Sequence, residues 1–197
     1  MVSPQTFIFI GRSGSGKGTQ ADLLIKDFKD RGQESFYIQT GEQFRKFLAT
    51  DSYSAEKAKV RSAAGTRQPD FMAIYMWADL MIKEFKGGDM DLIFDGTPRS
   101  LVEAQALDTA FEFYGRELVH VIALHVSDDC ATSRLTKRAR SDDDEHGIKK
   151  RLAWYEKDVV PALDYYRTNP RYRLVEVDGE RPIEEVHAEI FAQCDQK

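Results

Sequence analysis

Thr6-Phe7-Ile8-Phe9-Ile10 is an unbroken apolar run. It leads straight into Gly11-Arg12-Ser13-Gly14-Ser15-Gly16-Lys17, and from Lys17 to about residue 29 the pattern is helical, with Leu23, Leu24 and Phe28 on one face. A short apolar run bounded by glycine reads as a buried strand, and the following stretch as an amphipathic helix. Strand, glycine-rich loop and helix in that order constrain the chain more than any other feature. The glycines let the backbone curl so that successive N–H groups point inward, the helix N-terminus adds partial positive charge, and Lys17 adds a full one. That combination is a cradle for the phosphates of a nucleotide, with Lys17 reaching the β and γ phosphates. The residue after Lys17 is Gly18 and the hydroxyl comes one place later, at Thr19, a departure from the general phosphate-loop motif.

Further strands are predicted over residues 35–39, 91–94, 119–126 and 173–177. Helices are predicted over 101–113, 128–138, from the acidic cluster at 142–145 to about 166, and over 182–192, where Pro182 suits a first turn. A polar, mostly helical stretch covers 40–85, broken at Gly65 and Pro69. Strands alternating with helices imply an α/β domain, a parallel sheet of about five strands covered by helices on both faces. The whole chain, 1–197, reads as a single domain. The weakly apolar block at about 40–68 is the candidate for a small inserted lobe.

Composition excludes several classes. With 42% apolar residues, 31% charged residues and a net charge of -5, the chain is an ordinary globular one, without the basic field that nucleic acid or a membrane surface would call for. Cys130 and Cys194 lie far apart and form no metal or disulfide pattern. No segment reaches the length of a membrane span. The expectation is a cytoplasmic monomer. His120, His125, His146 and His187 show no ligand or triad spacing and read as structural or surface residues.

Residues 11–20, Gly-x-x-Gly-x-Gly-Lys-Gly-Thr-Gln, resemble the adenylate kinase family of P-loop nucleoside monophosphate kinases. The likeness continues in order along nearly the whole chain. Thr40-Gly41-Glu42-Gln43-Phe44-Arg45 is similar to the segment opening the family's monophosphate lobe, and Gly65 with Pro69-Asp70 to its closing turn. Asp95-Gly96-Thr97-Pro98-Arg99 is similar to the family's Asp-Gly-Phe-Pro-Arg. Arg134 and Arg138 fall where the family has two arginines before its lid. Arg140-Ser141-Asp142-Asp143 with Lys150-Arg151 matches a later pattern, and Val177-Asp178-Gly179 the last loop.

The resemblance implies transfer of the γ-phosphoryl group of MgATP to a monophosphate, first of all AMP. It implies that Gly14, Ser15, Gly16, Lys17, Gly18 and Thr19 hold the ATP phosphates. Arg45 and Arg99 would hold the acceptor phosphate, and Arg138, Arg140 and Arg151 would close over the group in transfer. Arg134 would stack on the donor adenine, bordered by the backbone near Arg181. Thr40, Gln68 and Gly96, with Glu103, would line the acceptor side. Asp95, with Glu42, would place Mg²⁺ through water. Two nucleotides bring about six negative charges together, which is work suited to arginine. No general base is required, because the acceptor phosphate is mostly ionised at neutral pH.

The chain also departs from the family. Only Ala139 separates Arg138 from Arg140, so the lid, about 137–143, is very short. Thr97 replaces Phe, Arg67 stands where an aliphatic residue is usual, and Glu103 replaces the Gln that reads adenine. An ionised carboxylate only accepts hydrogen bonds, which opens GMP or a pyrimidine monophosphate as alternative acceptors, unless Glu103 points to solvent. Two other readings are a P-loop switch or scaffold without phosphotransfer, which would have no use for Arg45 and Arg99, and a small-metabolite kinase, which would lack the Arg-x-Asp-Asp helix start.

Overall fold

The computed structural model describes residues 4–138 and 144–194. Strands β1 (Thr6–Gly11), β2 (Ser35–Gln39), β3 (Asp91–Asp95), β4 (Val119–His125) and β5 (Tyr172–Asp178) form one parallel sheet in the order β2-β3-β1-β4-β5. The helices are α1 (Lys17–Asp30), α2 (Thr40–Leu48), α3 (Tyr53–Ala63), α4 (Asp70–Glu84), α5 (Leu101–Phe113), α6 (Asp128–Arg138), α7 (Glu145–Trp154), α8 (Val160–Thr168) and α9 (Ile183–Cys194).

β1 is central, paired with β3 on one side and β4 on the other. Its side chains alternate across the sheet, so it needs apolar residues at every position. Phe7 and Phe9 face α1 and α9, meeting Leu24, Phe28, Val186 and Ile190. Ile8 and Ile10 face the opposite layer, with Trp77 and Met81 of α4, Leu107 and Phe111 of α5, and Leu163 and Tyr166 of α8. The sheet is thus covered on both faces, as the alternation of elements implies. Its strands all end at the edge where the glycine-rich loop and Asp95–Arg99 lie, and in open parallel sheets that edge is where ligands bind.

Two helical readings are corrected. The stretch 40–85 has a further break at residues 49–52: the Thr50 hydroxyl donates back to Phe47 O, and the Ser52 side chain caps α3 by accepting from Ala55 N at 3.1 Å. An N-cap serine starts a new helix because it satisfies a donor that the first turn leaves open. The long helix read from 142 to 166 runs without a gap to Thr168 but is not uniform. It begins at Glu145, capped by Asp144 accepting from Gly147 N at 2.6 Å, and a π turn, Tyr155–Val159, separates α7 from α8. Pro161 explains the turn. It has no N–H and its ring clashes with the carbonyl one turn earlier, and a widened turn relieves both. Residues 139–143, which include Arg140 and most of the expected lid, lie outside the described residues.

His120, on β4, is 1% exposed, and its ring stacks on Phe7 at 5.1 Å between centroids. Among the described residues neither ring nitrogen has a hydrogen-bond partner. Burial, reinforced by the charge of Arg173, holds its pKa down to about 4 from the ordinary 6.5. Between those values the unfolded chain binds a proton that the folded chain excludes. Stability is therefore full above about pH 6.5 and falls as the pH drops toward 4. The linkage predicts a loss of roughly 2 kcal/mol between pH 7.5 and pH 5 from this residue. Urea unfolding at both pH values should show that His120→Phe loses correspondingly less than the parent chain over the same interval. An identical loss in the two proteins would show that His120 is not responsible.

Candidate active site

The glycine-rich loop closes onto its own carbonyls. Lys17 Nζ, half-buried, donates to Gly11 O at 2.9 Å, to Arg12 O at 2.7 Å and to Ser15 Oγ at 3.4 Å. Burial lowers its pKa to about 8; Asp95 opposes the shift, while Arg99 and Arg138 add to it. Lys17 therefore lies within electrostatic reach of residues from β3, of the loop after it and of the end of α6. Gly14 has φ +84, and a Cβ there would stand 2.8 Å from Ala131 O, so the loop packs on α6 only because this residue is glycine. Gly16 N-caps α1, and Gly18 and Thr19 lie in its first turn. Arg134 Nη1 reaches Ser15 O at 3.5 Å. The Gly179 turn approaches the loop from the far side: a Cβ there would lie 3.2 Å from Ser15 O. The Arg181 side chain turns away from the loop and pairs with Glu189 of α9.

Opposite the loop, a cavity of about 200 Å³ is walled by Thr40, Phe44, Gln68, Met76, Gly96, Arg99, Glu103, Arg151 and Trp154, among others. Five of the residues read from the sequence as lining the acceptor side, Thr40, Gln68, Gly96, Arg99 and Glu103, thus meet at one place, with Arg151 beside them. A smaller channel of about 50 Å³ continues from it, and Arg67, Gly96, Arg99, Arg151 and Trp154 line both. Lys17, Gly11 and Ser13 form its other wall. The cavity therefore leads to the phosphate loop.

Local hydrogen bonds hold these groups. Thr40 Oγ1 donates to Asp95 O at 3.2 Å, and Gln68 Nε2 donates to Ala58 O at 3.1 Å. Gly96 has φ +78, which lets Arg99 fold back so that its Nε donates to Gly96 O at 2.7 Å. Arg45 is exposed on α2, with a guanidinium nitrogen 3.4 Å from where a Gly41 Cβ would stand. Asp95 is buried and accepts from the Tyr37 hydroxyl at 3.1 Å, and it lies 3.3 Å from where a Gly18 Cβ would stand. Among the described residues no cluster of three or more His, Cys, Asp or Glu could hold a metal ion by itself.

Glu103 is neither turned to solvent nor free for a base. It is fully buried; one carboxylate oxygen accepts from the Thr97 hydroxyl and the other from Arg99 N at 2.5 Å. Burial pushes its pKa up, opposed by those two hydrogen bonds and then by the charges of Arg99 and Arg67. Two departures noted separately in the sequence, Thr97 and Glu103, are therefore one hydrogen-bonded pair. Arg67 is likewise engaged, with Asp70 at 2.8 Å and with Asp158 of the π turn at 3.3 Å. Trp154, Phe44 and Met76 were not read as site residues. Two of them had a usable signal, since Trp154 lies one turn after Arg151 on the same face of α7 and Phe44 stands beside Arg45 in the segment that resembles the opening of the monophosphate lobe; Met76 had none.

A phosphate loop and an arginine-lined cavity that meet at the carboxyl edge of a parallel sheet define a P-loop phosphotransferase. A family model described as Adenylate kinase matches residues 9–171. Similar curated proteins include adenylate kinase of Trichodesmium erythraeum, 33% identical over 193 residues that cover 95% of this chain and 96% of that protein. Adenylate kinase 1 of a Nostoc species is 32% identical, covering 94% and 96%, and adenylate kinase of Thermus thermophilus is 31% identical, covering 95% and 96%. The chain belongs to the adenylate kinase family.

Proposed function

We propose that the enzyme transfers the γ-phosphoryl group of MgATP to AMP, giving two ADP. The observation that carries this reading is the continuity of the two cavities: the space walled by Thr40, Gln68 and Arg99 opens into the channel that ends at Lys17. An acceptor held in the first would direct its phosphate at the second. An oxygen of that phosphate attacks the γ-phosphorus, the bond from phosphorus to the bridging oxygen breaks, and its electron pair leaves with ADP. Lys17, Arg99, Arg138, Arg140 and Arg151 balance the charge spread over the transferred group, and alignment with charge neutralisation supplies the rate.

Residues 40–68 serve as the acceptor lobe and 137–143 as the lid. Arg45 and Arg99 bind the acceptor phosphate, Arg134 borders the donor base, and Arg181 contributes through its backbone. Mg²⁺ fits here as an ion held mainly by phosphates and water, since magnesium takes few protein ligands. Asp95, buried beside Gly18 and hydrogen-bonded to Tyr37, would accept from its water shell. When bound, the ion neutralises phosphate charge. We also read the enzyme as a cytoplasmic monomer. Among the described residues Cys130 and Cys194 are joined in no disulfide, which suits a reducing compartment, and no helix among them is long and apolar enough to cross a membrane.

The reading is tested by following ADP formation from MgATP with AMP, GMP, CMP and UMP in turn. AMP should give the highest kcat/KM, and ADP formed with no monophosphate preferred would count against a dedicated acceptor site. Glu103→Gln refines the test. A Gln oxygen can accept from Arg99 N, and its amide can donate to the Thr97 hydroxyl, which accepts as readily as it donates. The pair survives, so the ratio of kcat/KM for AMP to that for GMP should not change. A rise in that ratio would mean that Glu103 touches the base after all.

A further inference from the structure

We propose that Arg67 is a third acceptor-site arginine, one that contacts the ribose and 5′-phosphate of the bound monophosphate and not its base. The proposal rests on the acceptor reading given above. Arg67 belongs both to the wall of the larger cavity and to that of the channel. In a nucleoside monophosphate lying with its base in the cavity and its phosphate toward Lys17, the part at that junction is the sugar and the phosphate it carries.

The side chain is held for such a contact. Its Nη2 bonds Asp70 Oδ1 and its Nε pairs with Asp158, while its own backbone carbonyl accepts from Arg61. Asp70 is itself fixed by the Ser100 hydroxyl at 2.6 Å. Burial disfavours the ionised form of Asp70, but the bonds from Ser100 and Arg67 outweigh it and keep its pKa below the ordinary value. Ser100 in turn caps α5 at Glu103 N. Arg67 is therefore anchored through one hydrogen-bonded chain to the same helix start that holds Arg99. A guanidinium carries five N–H donors in a rigid plane, so a group fixed along one edge still presents donors to a ligand. The two carboxylates offset its charge, so its contribution is directional hydrogen bonding to oxygen rather than bulk attraction of an anion. Since Glu103 is turned to Thr97 and Arg99, Arg67 is not drawn into pairing with it across the cavity.

The test is steady-state kinetics of Arg67→Leu, which keeps the apolar stem and removes every donor, beside Arg67→Lys, which keeps the charge without the planar fork, and Asp158→Asn, which loosens the anchor. Thermal melts check that each is folded. For Arg67→Leu the KM for AMP should rise on the order of tenfold, by the same factor for every other monophosphate the parent enzyme accepts, with KM for ATP unchanged. Arg67→Lys and Asp158→Asn should show smaller rises in the same direction, and they carry the test if the leucine variant does not fold. An unchanged acceptor KM, an equal rise for ATP, or a factor that depends on the base would overturn the proposal. Should the parent bind AMP in calorimetry yet form no ADP, the proposed reaction fails, and the AMP affinities of these variants still decide the role of Arg67.

Discussion

Replacing Lys17 by Met should abolish nearly all turnover while leaving the apo protein at least as stable as the parent. The loss falls on kcat, because Lys17 meets charge that grows on the transferred group as the bond breaks. Removing one preorganised donor from such a position costs on the order of 10²–10³ in kcat, and a full charge at the phosphates more. The stability half of the prediction follows from the lysine's surroundings. Its pKa in the folded chain is about 8, below the ordinary 10.5, so folding disfavours the charged form. That cost is fully present below pH 8 and is relieved as the pH rises toward 10.5. Methionine has no charge to bury, so the melting temperature of the apo variant at pH 7 should equal or exceed that of the parent. A variant that kept the parent kcat would remove the phosphate loop from the mechanism. One that unfolded would show that the bonds from Nζ to Gly11 O and Arg12 O hold the loop together.

The second large effect is expected at Arg99. Arg99→Ala should weaken AMP binding by about ten- to a hundredfold, the range for losing a charge-assisted hydrogen bond, and leave ATP affinity nearly unchanged. Arg99 lines both the cavity and the channel, and among the described residues its guanidinium is held by Gly96 O and pairs with no carboxylate. Its positive charge is therefore available to a phosphate. Arg45→Ala should act in the same direction. Separate calorimetric titrations with AMP and with ATP decide the matter, and equal losses for the two nucleotides would contradict a distinct acceptor site. Removing Arg99 also takes away one of the charges that depress the Lys17 pKa, so the proton affinity of Lys17 should rise.

The parts of the site that were legible in the sequence are those whose function and local geometry share a few consecutive residues. Gly11 to Lys17 announces its loop because glycines, lysine, the preceding strand and the following helix are contiguous. Asp95 to Arg99 announces its own for a similar reason. Glu103 carries a local signal for where its carboxylate turns. Ser100-Leu101-Val102-Glu103 is a capping-box pattern, and in such a box the glutamate turns back over the helix start. Here it reaches Arg99 N and Thr97. Pro161 is likewise a local signal, for a change of pitch in the helix after residue 145.

Other features lay beyond sequence reasoning. The pairing of Arg67 with Asp158, the approach of Gly179 to Ser15, and the strand order of the sheet depend on how distant segments pack. No short-range pattern encodes them. The Arg181 side chain likewise pairs with Glu189 on the next helix, while the backbone expected to border the donor base follows the Gly179 turn that nears Ser15.

In the proposed reaction two nucleotides sit at one channel and exchange a phosphoryl group. The most direct test supplies neither ATP nor AMP. Incubated with MgADP alone, the enzyme should convert two ADP into equal amounts of ATP and AMP, which chromatography resolves, and Lys17→Met should not. Direct transfer requires one ADP in each site, so a nucleotide-binding protein with a single site and no phosphoenzyme cannot do this. Recovery of ADP unchanged, or release of inorganic phosphate with AMP and no ATP, would contradict the account.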